Sequence, residues 1–272
     1  MNLRPWGRSG QLTSGRPFPA ERFGPNRSRS GASVTLMPPK RRQGLDKYGK
    51  YSKHNNTISC SSSMPIQIDL PRGFRRFAEL LNTRLKSEIF TTEDSVRYSF
   101  FAALHEQGVQ PHEVVLEYRH PVIHRAQVDT WIPDLDPDGL AVEFKYDRPI
   151  PSDRNQPRPQ KAGMVLKDLF RLARFPAPAR RLFIHLTSSE MSDYLGREKN
   201  RLTGFFNLEI GEGLVIDQDM LSACCNTLQR AAGPPVPCLV HKRFQSALPN
   251  QNLLQVWQVA APIEAVEVCA AA

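Results

Sequence analysis

The chain has 272 residues, 40% of them hydrophobic and 23% charged, a balance that suits a globular core and excludes a fibre or a repetitive polymer. No stretch approaches the roughly 18–20 apolar residues of a membrane helix, and the five cysteines, odd in number and without a C-x-x-C pair, argue against a disulfide framework or structural zinc and for a reducing cytoplasm. The formal charge of +9 sits in residues 1–63, which hold 12 Lys or Arg against Glu21 and Asp46; the remainder is close to neutral, so a nucleic-acid site there must come from local placement of charge.

Residues 1–63 are rich in Gly, Pro, Ser and Arg, show no sustained apolar period and contain no signal-peptide h-region. They read as a disordered basic tail. Four readings fit this composition: translated leader before a natural start at Met64, a plain flexible tail, an arm that grips phosphates through Lys40, Arg41 and Arg42, or an Arg-rich, acid-poor targeting peptide.

The pattern changes at Met64. Phe74, Phe77, Leu80, Leu81 and Leu85 recur at spacings of three and four and predict a helix over 72–86. A second helix starts with Thr91 or Thr92 as N-cap, turns Val96, Phe100, Ala103 and Leu104 inward, and closes at Gly108. Three β-like runs follow at 114–119, 127–132 and 140–146, with Asp138-Gly139 as a hairpin turn before the third. A Pro-rich loop over 149–159 leads to a helix ending before Pro176, a buried strand over 180–187, and a helix capped by Ser188 or Ser189. Beyond residue 200 the pattern gives one helix over 217–233 and a turn feeding a strand after Ala247. The order α, β, β, β, α, β, α predicts an α/β core over 64–200, a mixed sheet flanked by helices, with 201–272 as an extension packed on it.

Candidate chemistry sits in the three-strand run. Alternation along LAVEFKY puts Glu143 and Lys145 on one face and Val142, Phe144 and Tyr146 on the other. Asp129 lies on the preceding strand, and a hairpin brings its carboxylate near Glu143, giving two hard oxygen donors for a divalent cation with a lysine beside them in a cleft. Gln160, Lys161 and Lys167 on the next helix are candidate phosphate contacts, with Gly163 permitting close backbone approach; Lys167, Asp168 and Arg171 equally fit a solvated face. Glu117 can join the acidic group or pair with Arg119 or Arg125. His120 and His124 bracket a turn and read as ordinary rather than metal-ligating, and Cys224-Cys225 as buried helix filler.

Asp129 followed by Glu143-Phe144-Lys145 within an αβββαβ order resembles the PD-(D/E)xK nuclease superfamily, the restriction-endonuclease-like fold; the resemblance covers about 72–199, with Val128 where the written motif has proline. It implies that Asp129 and Glu143 bind Mg²⁺, for which Mn²⁺ can substitute, and that Lys145 assists the attacking water or the transition state. It also implies that Glu93, opening the second helix, supplies the acidic residue of the first core helix. The implied function is a DNA endonuclease of a prokaryotic cytoplasm in restriction, defence, mobile elements or repair, with RNA as another substrate and a homodimer where both strands are cut. Two alternatives from other classes stand beside it: a non-cleaving nucleic-acid- or protein-binding module of the same fold, and a metal-dependent hydrolase of another phosphate ester.

Overall fold

The computed structural model describes residues 66–135, 137–148 and 157–262, with side chains through residue 260. The basic tail and most of the Pro-rich loop lie outside the described residues. Helix α1 (Leu70–Lys86) is capped by Asp69, whose side chain accepts the Arg72 amide, and α2 (Glu93–His105) by Thr92, which exchanges hydrogen bonds with Ser95. Strands β1 (Val115–Arg119), β2 (Gln127–Ile132) and β3 (Leu140–Asp147) follow. The turn before β3 needs its glycine. Gly139 has φ of +73°, and a Cβ there would meet the Trp131 ring at 2.5 Å and the Pro133 carbonyl at 2.9 Å. Next come α3 (Arg158–Ala173), β4 (Arg180–Thr187) and α4 (Ser189–Leu195), the last capped by Ser188.

All seven strands form one mixed sheet in the order β1-β2-β3-β4-β7-β6-β5, antiparallel except for the parallel pair β3 and β4. Parallel pairing of β3 with β4 requires a crossover, which α3 supplies. Even-numbered residues of β3 and β4 (Val142, Phe144, Leu182, Ile184) pack with Phe77, Leu81 and Phe100 of α1 and α2. On the opposite face Ala141 and Phe183 pack with Val165 and Leu169 of α3 and with Trp257. Burying side chains of this size contributes roughly 1.5–3 kcal/mol each, so the two apolar layers hold the helices on the sheet.

The stretch after residue 200 is hydrogen-bonded into this sheet rather than laid upon it. It contributes β5 (Gly213–Ile216), β6 (Cys238–Leu248) and β7 (Asn252–Pro262), and β7 pairs directly with β4. The physical reason is visible in β4: seven of its eight residues are buried, so it cannot be an edge and takes a partner on each side. The helix expected over 217–233 is two, α6 (Gln218–Ser222) and α7 (Asn226–Ala232), preceded by the single turn α5 (Thr203–Phe206). At the break the Gln229 side chain donates to the carbonyls of Cys224 (2.7 Å) and Ser222 (3.2 Å), replacing the lost helical bonds. Cys224 is buried there, but Cys225 is exposed and is no core filler. Among the described residues no helix is long and apolar enough to cross a membrane.

Candidate functional site

Strand β2 pairs with β3 only from Thr130–Ile132 to Leu140–Val142, and beyond Val142 the two strands part. Two amides on the edge of β3 that β2 has left are taken by carboxylates instead of carbonyls. Asp129 Oδ2 accepts the amide of Phe144 (2.7 Å), and Glu93 Oε2, from the first turn of α2, accepts that of Tyr146 (3.1 Å). The opening coincides with a distortion in β1, where Glu117 takes a φ of +49° opposite this part of β2. Asp129, Glu143, Lys145 and Glu93 therefore come together along one strand edge, two of them, Asp129 and Glu93, supplied by other elements.

Each of these groups is already engaged. Glu143, whose side chain is 1% exposed, receives a two-pronged bond from Arg171 of α3, Nε to Oε1 and Nη2 to Oε2, both at 2.6 Å. Arg171 also donates to Asp168 (2.9 Å), whose other oxygen lies 3.8 Å from Lys145 Nζ. Asp129 Oδ1 accepts from Arg97 of α2 (3.0 Å), and the other arm of that guanidinium reaches Glu117 (2.8 Å). The expected polar cluster facing an open cleft is in fact largely buried, because two helices press arginines against the strand from opposite faces. The solvated-face reading of Asp168 and Arg171 falls for the same reason. Asp168 is buried under the helix, and only Lys167 of that trio is exposed.

Charge crowding shows in the proton affinities. Burial pushes the Glu143 carboxyl well above its ordinary range; the Arg171 bond works against this, and the charges of Asp129 and Asp168 add to it. Burial likewise raises Asp168 and Glu93, with Arg171 and Lys145 partly offsetting it at Asp168 and Lys145 at Glu93. At Lys145 burial disfavours the charge, but Asp168, Glu93, Asp147 and Asp129 together outweigh it and raise its pKa. Leaving aside Asp94, which is 69% exposed and 3.9 Å from Arg97, the carboxylates of Glu93, Glu117, Asp129, Glu143 and Asp168 outnumber Arg97, Lys145 and Arg171 by two. Donor type and charge fit a hard divalent cation. Spacing does not: among the described residues no three Asp, Glu, His or Cys side chains are placed to hold one ion, and guanidinium groups engage Asp129 Oδ1 and both Glu143 oxygens.

The remaining predicted contacts separate. Lys161 is half-buried and points its ammonium at the Arg148 carbonyl (3.4 Å), Lys167 is exposed, and Gln160 lies half-buried in the first turn of α3. Gly163 admits α7, not a ligand: a Cβ there would collide with the Leu228 carbonyl and the Ala231 side chain. Glu117 meets neither Arg119 nor Arg125 but Arg97. His120 is buried. Its Nδ1 accepts the amides of Val122 (3.1 Å) and Ile123 (3.0 Å), which leaves Nε2–H to donate to the carbonyl of Arg171 (3.0 Å).

Arg97 and Arg171 were not singled out from the sequence as site residues, yet the signal was there. Arg97 stands three residues before Phe100 and seven before Leu104, within an inward stripe, and Asp168, the neighbour of Arg171 one turn back, stands three after Val165 and four before Leu172 in another. A charge inside an apolar stripe calls for a partner on the packed element. The fold and site define an α/β protein with a seven-stranded mixed sheet flanked by helices and a carboxylate-rich strand edge. Compared with protein-family models, curated proteins and solved structures, the chain matches none.

Proposed function

We propose that this protein is a metal-dependent endonuclease of the restriction-endonuclease-like class, hydrolysing phosphodiester bonds of DNA. The observation that carries the reading is the excess of two carboxylates where β2 and β3 part, beside a lysine on the same strand as Glu143. Asp129, Glu143 and Glu93 are the residues that would hold Mg²⁺ or Mn²⁺. When bound, such an ion neutralises a phosphate oxygen and acidifies water. Lys145, held near Asp168 and with its pKa raised by four carboxylates against burial, would stabilise the charge that develops on the reacting phosphate. Arg97 and Arg171 hold the Asp129 and Glu143 carboxylates in place, and a bound cation would share those oxygens with the two guanidinium groups.

A second reading has its own support. The bidentate bond from Arg171 engages both oxygens of the buried Glu143, as suits a non-cleaving binding module in which the pair is structural. Incubation of the protein with plasmid, single-stranded DNA, RNA and nucleotides in Mg²⁺, Mn²⁺ or EDTA separates the readings. Metal-dependent scission of DNA is expected, abolished in Asp129→Asn and Glu143→Gln and slowed about 10²–10⁴-fold in Lys145→Ala. Duplex binding without scission under any metal would favour the binding module, and hydrolysis confined to nucleotides would point to another phosphate ester.

A further inference from the structure

Between the β1–β2 turn, the C-terminal half of α3 and the end of α7 lies a cleft of about 480 Å³. Its walls carry Arg125 and His124 from the turn, Lys167, Arg171 and Arg174 from α3, and Arg230 from α7, and no Asp or Glu among the lining residues. Arg125, Lys167, Arg174 and Arg230 are all exposed, and none forms an ion pair with a described carboxylate. Since residues beyond 63 are nearly neutral in sum, convergence of five cations from three elements is a local concentration that the global charge does not produce. Like charges so placed repel one another, and a polyanion relieves that repulsion.

The cleft is also built rather than incidental. The turn that carries Arg125 is bolted to α3 by the buried His120, which ties two turn amides to the backbone of Arg171. Arg125 itself is held at φ of +60°, a conformation that costs energy for a side chain of this kind. Arg171 belongs to both places: its guanidinium grips Glu143 and Asp168 while it lines the cleft. A phosphate that Arg171 contacted in the cleft would therefore lie beside Glu143 and Asp168.

We infer that this cleft is the docking groove for the sugar-phosphate backbone of a nucleic acid, which it leads to the edge of β3. The inference rests on the nuclease reading for the identity of the polyanion. The basic cleft supplies the binding, and its test can fail or succeed apart from cleavage.

The test is fluorescence anisotropy of a labelled DNA duplex against a salt series, in EDTA so that nothing is cut. The full chain is compared with a triple variant, Arg125→Asn, Arg174→Ala and Arg230→Ala; Asn is chosen because it tolerates the left-handed backbone. The slope of log affinity against log salt should fall by about 0.9 for each lost phosphate contact, hence by about 2–3, with affinity down about tenfold or more at low salt and an unchanged melting temperature. Unchanged slope and affinity would overturn the inference. So would equal binding of polyglutamate, or saturation by inorganic phosphate without any binding of duplex. Loss of binding in the triple variant together with failure of the wild type to cut in Mg²⁺ or Mn²⁺ would keep the groove and sink the hydrolytic reading instead.

Discussion

Replacing Arg171 by Met removes the only hydrogen-bond donor that Glu143 has among the described residues while keeping an apolar stem over the sheet. The carboxylate left behind is 1% exposed. Breaking a buried pair from one side costs about 3–5 kcal/mol, because the remaining charge is neither hydrated nor paired. The loss has a ceiling, since Glu143 can take up a proton. From an ordinary value of 4.5, keeping it protonated costs about 3 kcal/mol at pH 7 and under about 1 kcal/mol at pH 5. The sign follows from the folded pKa, which burial already raises in the wild type against the Arg171 bond and which losing that bond raises further. The folded variant binds more protons than the unfolded chain above pH 4.5, so its stability falls as pH rises through that window. Urea denaturation of wild type and variant from pH 5 to pH 8 should show a gap of up to about 3 kcal/mol at neutral pH that narrows on acidification. Adding Glu143→Gln to the variant should recover the part of the neutral-pH loss that belongs to Glu143, while the buried Asp168, which also loses its Arg171 donor, keeps the rest. A gap below about 1 kcal/mol at pH 7, or one that does not change with pH, would refute the claim that Arg171 neutralises a desolvated carboxylate.

Lys242 of β6 is 1% exposed and donates to the Phe206 carbonyl and to Gln245, and burial lowers its pKa from 10.5 to about 8, with Glu209 and Glu212 only partly offsetting it. Wild-type stability should therefore rise as pH climbs from about 8 to about 10.5, and Lys242→Met should flatten that rise in urea titrations and stabilise the fold at pH 7 by up to about 3 kcal/mol. Gln255 already donates to the same Phe206 and Gln245 oxygens, so the substitution strands neither acceptor. Burial also lowers the His120 pKa, against the pull of its bond to the Arg171 carbonyl, so melting temperatures should drop as pH falls below its ordinary 6.5. His120→Ala should cost about 1–3 kcal/mol at pH 7.5 and remove that acid-side dependence; an unchanged pH profile in the variant would place the titration elsewhere.

Periodicity and end signals in the sequence were enough to draw the elements from α1 to α4, because apolar spacing, Thr92 and Ser188 as caps and Asp138-Gly139 as a turn act within a few residues of one another. They also put Glu143 and Lys145 on the face opposite Val142 and Phe144, which strand geometry alone dictates. They did not reach β5, which is four residues long, or β6, where Lys242 puts a charged side chain at an inward position. Nor did they say what the acidic residues touch. Arg97 is 32 residues from Asp129 and Arg171 28 from Glu143, and a periodic pattern reports the face a side chain takes on its own element, not what another element brings to meet it. That depended on the parting of β2 from β3 and on two helices closing over the gap from opposite faces, a decision made by packing across the whole sheet.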